Sequence, residues 1–280
     1  MFGLKPPRLS IIIPNYNYGR HFLRLARCLS CQTLGMDVVE IILVDDGSTD
    51  DSLQQAAHFE AISPIRFEVL AEPHDGRPGN VRNKGLAEAR GEFLLCLDPD
   101  DVLAPGYLTQ CVAGLDIDES AGLAYTDFTL VENDTPRTVA LPDFDPALLA
   151  TQNILSPTAV MRRSAWECTE GYRAETDYED WDLWVQFAAL GYGAVHIADP
   201  LYVHMVHGEN YSFRARENDA RAKALIVLEN GSFFPAAVRH WARGVIEGEP
   251  WAIEFPRGII PEKDHVEKLL KKLADSTGAR

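Results

Sequence analysis

No stretch of this 280-residue sequence approaches the roughly 20 consecutive apolar residues that span a bilayer, and its first residues lack the apolar core of a secretory signal. Basic clusters are equally absent. Against 42 Asp and Glu there are only 26 Lys and Arg, for a formal net charge of −16. Neutralising a phosphate backbone needs grouped cations, so the balance excludes a nucleic-acid-binding surface and strong attachment to anionic lipid. Cysteine is scarce, with five residues. Cys28 and Cys31 form a lone C-x-x-C inside a helical pattern, and no second Cys or His pair supplies the four ligands a structural zinc normally takes. The expectation is a cytoplasmic protein in a reducing compartment. No G-x-G-x-x-G follows the first apolar run, and neither G-x-x-x-x-G-K-[ST] nor G-x-S-x-G occurs. A calcium loop counted from Asp98 fails as well, since its sixth position is Leu103 rather than Gly and its twelfth Thr109 rather than Glu.

What remains is an ordinary globular composition, 46% hydrophobic and 24% charged, in a chain long enough for one large α/β domain with or without a small appendage. Its most informative stretch is Leu97-Asp98-Pro99-Asp100-Asp101, which follows the apolar run Glu92 to Leu97. That run has the continuity of a strand buried on both faces. Three carboxylates thus arrive together at the carboxyl end of a central strand, where open α/β sheets bind ligands. Clustered Asp side chains repel one another and call for a cation or donors, and Mg²⁺ or Mn²⁺ matches their hard oxygens. A solvated turn with an N-cap aspartate is the plainer alternative.

The neighbouring segments repeat a strand-helix rhythm. Leu9 to Ile13 is a β-branched run that Pro14 should stop, before a loop Asn15-Tyr16-Asn17-Tyr18-Gly19 and a helix marked by Phe22, Leu25, Ala26 and Leu29. Val38 to Val44 is a second buried strand ending in Asp45-Asp46-Gly47-Ser48-Thr49-Asp50, with a helix from about Ser52 that Asp50 is expected to cap. Arg66 to Leu70 reads as a third strand and Pro73 to Asn80 as a loop. A helix follows over Val81 to Arg90, with Arg82 and Asn83 in its first turn. A cation there opposes the helix dipole, so Arg82 should have an anionic partner.

Five of these segments carry a resemblance. Ser10-Ile-Ile-Ile-Pro-Asn-Tyr-Asn17, Val44-Asp-Asp-Gly-Ser-Thr-Asp50, Arg82-Asn83 with Gly85, Ala89-Arg-Gly-Glu92 and Leu97-Asp-Pro-Asp-Asp101 occur in an order and spacing similar to the nucleotide-binding half of family 2 glycosyltransferases. The resemblance implies a GT-A nucleotide-diphospho-sugar transferase fold, α/β, with a mixed, mostly parallel central sheet flanked by helices. It implies that Asp46, with Pro14 and Tyr16, contacts the nucleobase, usually uracil. Arg82 would lie near the nucleotide and diphosphate, Asp98 near the ribose, and Asp100 would ligate the Mn²⁺ or Mg²⁺ bridging the phosphates. Asp101 is assigned either to that ion or to bracing the loop.

Further along, Leu123 to Phe128 reads as a strand, Asn133 to Pro146 as a connector, and Ile154 to Met161 as a strand interrupted by Pro157. Tyr178-Glu179-Asp180-Trp181 opens a helix ending at Gly191, with Trp181, Trp184, Val185 and Ala188 on its apolar face. Acidic residues at a helix start complement the macrodipole and need no other role. The same Glu179-Asp180 pair resembles the family's E-D motif, whose Asp is the general base. Val195 to Val203 is a last strand. The resemblance makes His207 a further ligand of the metal and diphosphate shell, with a lid over Tyr211 to Arg216 and Arg214 or Arg216 available to the diphosphate.

Helical patterns then cover Ala222 to Leu228, Pro235 to Ile246 and Pro261 to Leu273. The last carries Lys268, Lys271 and Lys272 beside leucines, as a packing helix or a peripheral membrane contact. The domain expectation is 1–215 for the transferase, with a nucleotide-binding half about 8–115 and an acceptor and catalytic half about 116–215, and 216–280 for a helical extension. The resulting functional expectation is a metal-dependent, inverting transfer of a sugar from a nucleotide-sugar, most simply a UDP-sugar, to a saccharide or lipid-linked saccharide. A sugar nucleotidyltransferase would need a Gly-rich basic loop where Asn-Tyr-Asn-Tyr stands. A non-catalytic nucleotide-sugar-binding protein would have no use for Glu179-Asp180.

Overall fold

A computed structural model describes residues 6–62, 65–206, 218–253 and 255–277. The chain divides into two compact units. One comprises residues 1–144, 155–172 and 192–207, and the other residues 145–154, 173–191 and 208–280. The units interleave along the chain.

The first unit contains the sheet. Its strands are β1 (Leu9–Asn15), β2 (Val39–Asp46), β3 (Arg66–Glu72), β4 (Phe93–Cys96), β5 (Val102–Leu103), β6 (Ala121–Glu132), β7 (Thr135–Val139), β8 (Val160–Arg162) and β9 (Gly193–Val206). They run in the order β3-β2-β1-β4-β8-β6-β9-β5, with β7 paired to β6. The long ladders are parallel, β1 with β2 and β4, β2 with β3, and β6 with β9, while β8, β5 and β7 join antiparallel. This is the mixed, mostly parallel sheet that the GT-A expectation requires.

Every residue of β1 and β2 is buried, which is why both read as unbroken apolar runs. Leu9, Ile11 and Ile13 pack with α1 (Phe22–Ser30) and α4 (Tyr107–Ile117) through Phe22, Leu25, Leu108 and Val112. The opposite face meets α3 (Pro78–Glu88), where a Cβ at Gly85 would lie 2.6 Å from Ile12 Cγ2 and 2.9 Å from Val44 Cγ2. Only glycine lets this helix approach so closely. At Gly91 a Cβ would come within 2.6 Å of the Ser10 nitrogen, and the Gly91 amide donates to Ser10 Oγ at 2.8 Å. Helix α2 (Ser52–Ile62) lies on the α1 face, where Phe59 packs near Phe22.

Several boundaries depart from the sequence reading. Pro14 does not stop β1, which runs to Asn15 and keeps pairing with β2. The Leu97 amide donates to the Ile12 carbonyl on the β4 side, so Pro14, two residues on, turns its missing N–H to that same side, beyond the end of the β4 ladder. Helix α3 begins at Pro78 rather than Val81, because proline is pre-set for the first helical position. Arg82 therefore sits in the second turn, and the dipole argument for its partner loses its basis although a partner exists. The connector after β6 contains β7, reached by a two-residue turn with Asn133 and Asp134 at φ 49° and 58°, a hairpin geometry these residue types tolerate. Only Val160–Arg162 of the segment from Ile154 is strand.

The second unit is helical. It holds α5 (Pro146–Leu149), α7 (Glu179–Ala189) and the helices Asp219–Glu229, Ala236–Glu247, Pro250–Ile253 and Lys263–Thr277; the short α6 (Arg163–Trp166) belongs to the first unit. Helix α7 is buried on all sides from Trp181 to Phe187 rather than along one stripe. The indole of Trp181 donates to the Leu149 carbonyl at 2.8 Å, and that of Trp241 to Ala252 at 2.8 Å. Val266 of the last helix is buried while Lys268, Lys271 and Lys272 are exposed, the pattern of a packing helix with a solvated face. No helix among the described residues is long and apolar enough to cross a membrane.

Candidate functional site

The order β3-β2-β1-β4 places the switch of winding direction between β1 and β4. A crevice outside the carboxyl ends of the strands at such a switch is the usual ligand site of an open α/β sheet. Three loops converge there, after β1, β2 and β4.

The first two loops are locked together. Asn15 donates to Asp45 Oδ1 at 2.7 Å and to Ser48 Oγ at 3.0 Å. Asn17, in the left-handed region at φ 59°, accepts the amides of Thr49 and Asp50 on its side-chain oxygen at 2.7 and 3.2 Å. Asp50 accepts from the amides of Gly19 and Ser52 at 3.1 and 3.0 Å, the capping role expected of it. Most of the Asp-Asp-Gly-Ser-Thr-Asp motif is thus architecture that presents Tyr16, which is 41% exposed. Pro14 lies at the buried end of β1 beside Val44.

Asp46 is buried, and its oxygens are engaged. The amides of Asp75 and Gly76 donate to them at 2.7 and 2.9 Å, and His74 Nδ1 lies 2.9 Å from Oδ2. The His74 ring stacks on Tyr16 with centroids 4.2 Å apart. Asp46 therefore shapes the loop that brings a second, exposed aromatic ring to Tyr16. Sequence reasoning passed over His74 because it stands in a Gly- and Pro-rich loop without periodicity.

The third loop carries the acidic stretch. Arg82 Nη2 donates to Asp98 Oδ1 and Oδ2 at 2.9 and 3.2 Å, and the guanidinium lies over the Tyr172 ring, 5.4 Å from its centroid. Asn83 grips the backbone of Tyr172, donating to its carbonyl at 2.7 Å and accepting its amide at 3.0 Å. The Arg-Asn pair thus joins α3 to both the acidic loop and the Gly171-Tyr172 turn. Asp100 is buried, and its carbonyl accepts from Arg24. Asp101 is also buried and braces the loop. Its carboxylate accepts from the Tyr202 hydroxyl and, at 3.0 Å, from the Met205 amide, with His204 Nδ1 at 3.3 Å. Burial is the largest influence on His204 and lowers its pKa, but the bond to Asp101 and the charges of Asp101, Asp98 and Asp100 together raise it. The Tyr202 hydroxyl is held protonated by its burial and by Asp101.

The donor chemistry at this loop fits a hard divalent cation. No group of three or more His, Cys, Asp or Glu able to hold a metal occurs among the described residues. Mg²⁺-type sites on nucleotides, however, take one or two carboxylates and complete their shell with phosphate and water. The carboxylates this loop could offer to such an ion are those of Asp100 and of Asp98, whose oxygens are already bonded to Arg82, while Asp101 is committed to β9. His207, Arg214 and Arg216 lie outside the described residues.

In the second unit Glu179 and Asp180 open α7, both half-buried. The Asp180 carboxylate accepts from Asn153 Nδ2 at 3.2 Å and from the Trp181 amide at 2.8 Å. Two residues on, Asp182 is fully buried among Arg173 Nη1, Asn230 Nδ2 and Gln186 Nε2 at 2.9, 2.7 and 3.1 Å. Burial raises its pKa despite these partners. Asn153 and Asn230 belong to no motif, and their proximity is a product of the fold.

A family model described as glycosyl transferase family 2 matches residues 10–163. An uncharacterized glycosyltransferase of Nostoc sp. is 26% identical over 248 residues, covering 80% of this chain and 73% of the relative. The chondroitin synthase of Escherichia coli is 27% identical over 212 residues, 74% of this chain but only 30% of that enzyme. The crystal structure of S. aureus TarS residues 1–349 with UDP-GlcNAc superposes with a TM-score of 0.64 at 20% identity, covering 84% of this chain and 70% of that one.

Proposed function

Because the chain belongs to glycosyl transferase family 2, an enzyme class that moves a sugar from a nucleotide-sugar to an acceptor, we propose that it is a metal-dependent, inverting hexosyltransferase using a UDP-sugar and a saccharide or lipid-linked saccharide acceptor. The observation that carries this reading is the convergence, at the β1/β4 switch point, of the Tyr16-His74 stack and the Arg82-Asp98-Asp100 loop. Aromatic faces suit a base, and a cation beside carboxylates suits a metal diphosphate. The UDP-GlcNAc named with the TarS structure and the glycan synthesis named for the chondroitin synthase support the same choice of donor and acceptor.

In this mechanism Tyr16, Pro14, Asp46 and the loop it shapes receive the nucleobase, Asp98 the ribose, and Arg82 the diphosphate side. Asp100 and the diphosphate oxygens would hold a Mn²⁺ or Mg²⁺ ion, which supplies neutralisation of the charge that develops on the leaving phosphate. By the family resemblance His207 would complete the shell of that ion and the diphosphate. The acceptor hydroxyl oxygen bonds to the anomeric carbon as the bond from that carbon to the β-phosphate oxygen breaks, and the electron pair departs with the nucleoside diphosphate. Asp180 takes the hydroxyl proton in the same step, and Glu179 adds negative potential beside it. The half-burial of Asp180 and its fixed bonds to Asn153 and Trp181 support that role.

A panel of nucleotide-sugars with Mn²⁺, read by thermal stabilisation and slow hydrolysis, tests the reading. Stabilisation by a UDP-sugar with release of UDP is expected. Pyrophosphate release from a nucleoside triphosphate would make the protein a nucleotidyltransferase instead. UDP binding without turnover on any donor and acceptor pair would make it a binding protein.

A further inference from the structure

Among the groups that tie the helices after residue 218 to the start of α7, beside Asn218 on Asp177 and Asn230 on Asp182, the carboxylate of Asp219 makes the most bonds. Asp219 Oδ1 accepts from the Tyr178 hydroxyl and from the Gly258 amide, each at 2.8 Å, and Oδ2 pairs with Lys223 Nζ at 2.7 Å. Lys223 is 1% exposed and also donates to the Pro256 carbonyl at 2.9 Å. A buried ammonium and a nearly buried carboxylate are costly to desolvate, and a purely packing helix would gain as much from apolar residues here. The bonds they make all lead toward Asp180.

Two routes are visible. Tyr178 immediately precedes Glu179 and Asp180, its ring rests against Trp181 with centroids 6.1 Å apart, and Asp177 beside it accepts from Asn218 Nδ2 at 3.0 Å. Burial first, and then the Asp219 carboxylate, push the Tyr178 hydroxyl up to about 12, so it remains a donor at any working pH. The other route runs through the turn at Pro256 to Gly258, where Gly258 adopts φ 67°. Two residues later the Ile260 amide donates to the Thr151 carbonyl at 2.8 Å. Thr151 lies two positions before Asn153, whose amide holds the Asp180 carboxylate.

We propose that Asp219 is a positioning residue for the proton-accepting step, holding through Tyr178 and through the Pro256–Ile260 turn the two supports that aim the Asp180 carboxylate. The inference rests on the reading of Asp180 as general base. It gives the helical region after residue 218 a part in the chemistry rather than that of an appendage. A base must sit within hydrogen-bond reach of the acceptor hydroxyl, and small misplacements of such groups are costly in rate.

The test uses the full chain with Tyr178→Phe, which deletes only the hydroxyl, Asp219→Ala, and Asp219→Asn, which keeps an acceptor oxygen. Tyr178→Phe is expected to lower kcat about tenfold while donor KM and UDP affinity stay within about twofold. Asp219→Ala should fall at least as far, Asp219→Asn should recover part of the loss, and Tyr178→Phe should add little to Asp219→Ala because both remove the Tyr178–Asp219 bond. Wild-type kcat per folded molecule in Tyr178→Phe, with only a lower Tm, would overturn the positioning role, and so would fully additive losses. Asp180→Asn run alongside separates the two ideas. If it stays active the base reading fails, whereas an inactive Asp180→Asn beside a fully active Tyr178→Phe sinks the positioning role alone.

Discussion

Arg82 and Asp98 form a two-pronged ion pair across the crevice floor, with one guanidinium nitrogen 2.9 and 3.2 Å from the two carboxylate oxygens. Tyr172 lies against the other side of the same guanidinium. The planar cation thus fixes the acidic loop to α3 before any ligand arrives. A lysine ammonium could reach the two oxygens as a point charge, but it could not lay a planar cation over the Tyr172 ring. Arg82→Lys should therefore weaken UDP binding nearly as much as Arg82→Ala, each by about tenfold or more, corresponding to roughly 1.5–3 kcal/mol for a charged hydrogen bond. Calorimetry on the two variants checks this, and full affinity in Arg82→Lys would make the stack on Tyr172 dispensable.

Asp180→Asn keeps the shape of the residue but removes its capacity to take a proton. Transfer should fall by about 10²–10⁴, while thermal stability and UDP affinity remain at wild-type values. Single-turnover transfer to an acceptor, measured beside nucleotide binding, separates the two effects.

Asp100→Ala removes the buried carboxylate assigned to the cation. Wild type should bind UDP more tightly with Mn²⁺ than without it, and the variant should lose that difference. Titrations with and without the ion read this directly, and an unchanged metal dependence would move the ion elsewhere.

Asp101 is a structural anchor, buried and bonded to Tyr202 and Met205. Asp101→Ala leaves a buried hydroxyl and a backbone amide without their acceptor, at about 1–3 kcal/mol each. Urea denaturation should show this loss, with a smaller one for Asp101→Asn.

Asp182 makes stability depend on pH in a defined direction. Burial lifts its carboxyl above the ordinary 3.8, against the opposing pull of Arg173, Asn230 and Gln186. Just above 3.8 the native state keeps a proton that the unfolded chain has released, so the contribution is complete below that value. It is lost as pH rises through the raised native value. The stability of wild type relative to Asp182→Asn should therefore fall as pH rises across this acidic window and then level off. Urea midpoints over a pH series check the sign, and a rising difference would reverse it.

The parallel half of the fold was legible in the residues because strands buried on both faces leave continuous apolar runs and their ends carry short, local motifs. β1, β2 and the acidic loop after β4 were placed this way, whereas the anionic partner of Arg82 was expected from a first-turn position that α3 does not give it. Boundaries were less legible where one residue type serves two roles. Pro14 continues a strand because its missing N–H points past a ladder's end, and Pro78 starts a helix because its φ is already set.

By itself the sequence determined the class of chemistry, since five short motifs follow one another in an order and spacing that resemble one family, three of them closing the carboxyl ends of β1, β2 and β4. Tertiary structure alone decided which groups hold which. Asp46 is bound to the amides of residues 75 and 76, Asp101 to Tyr202 from 101 positions away, Asp180 to Asn153, and Asp219 to Tyr178. Such pairs have no sequence periodicity, because hydrogen bonds between distant segments are set by where the packed elements bring their ends and not by spacing along the chain.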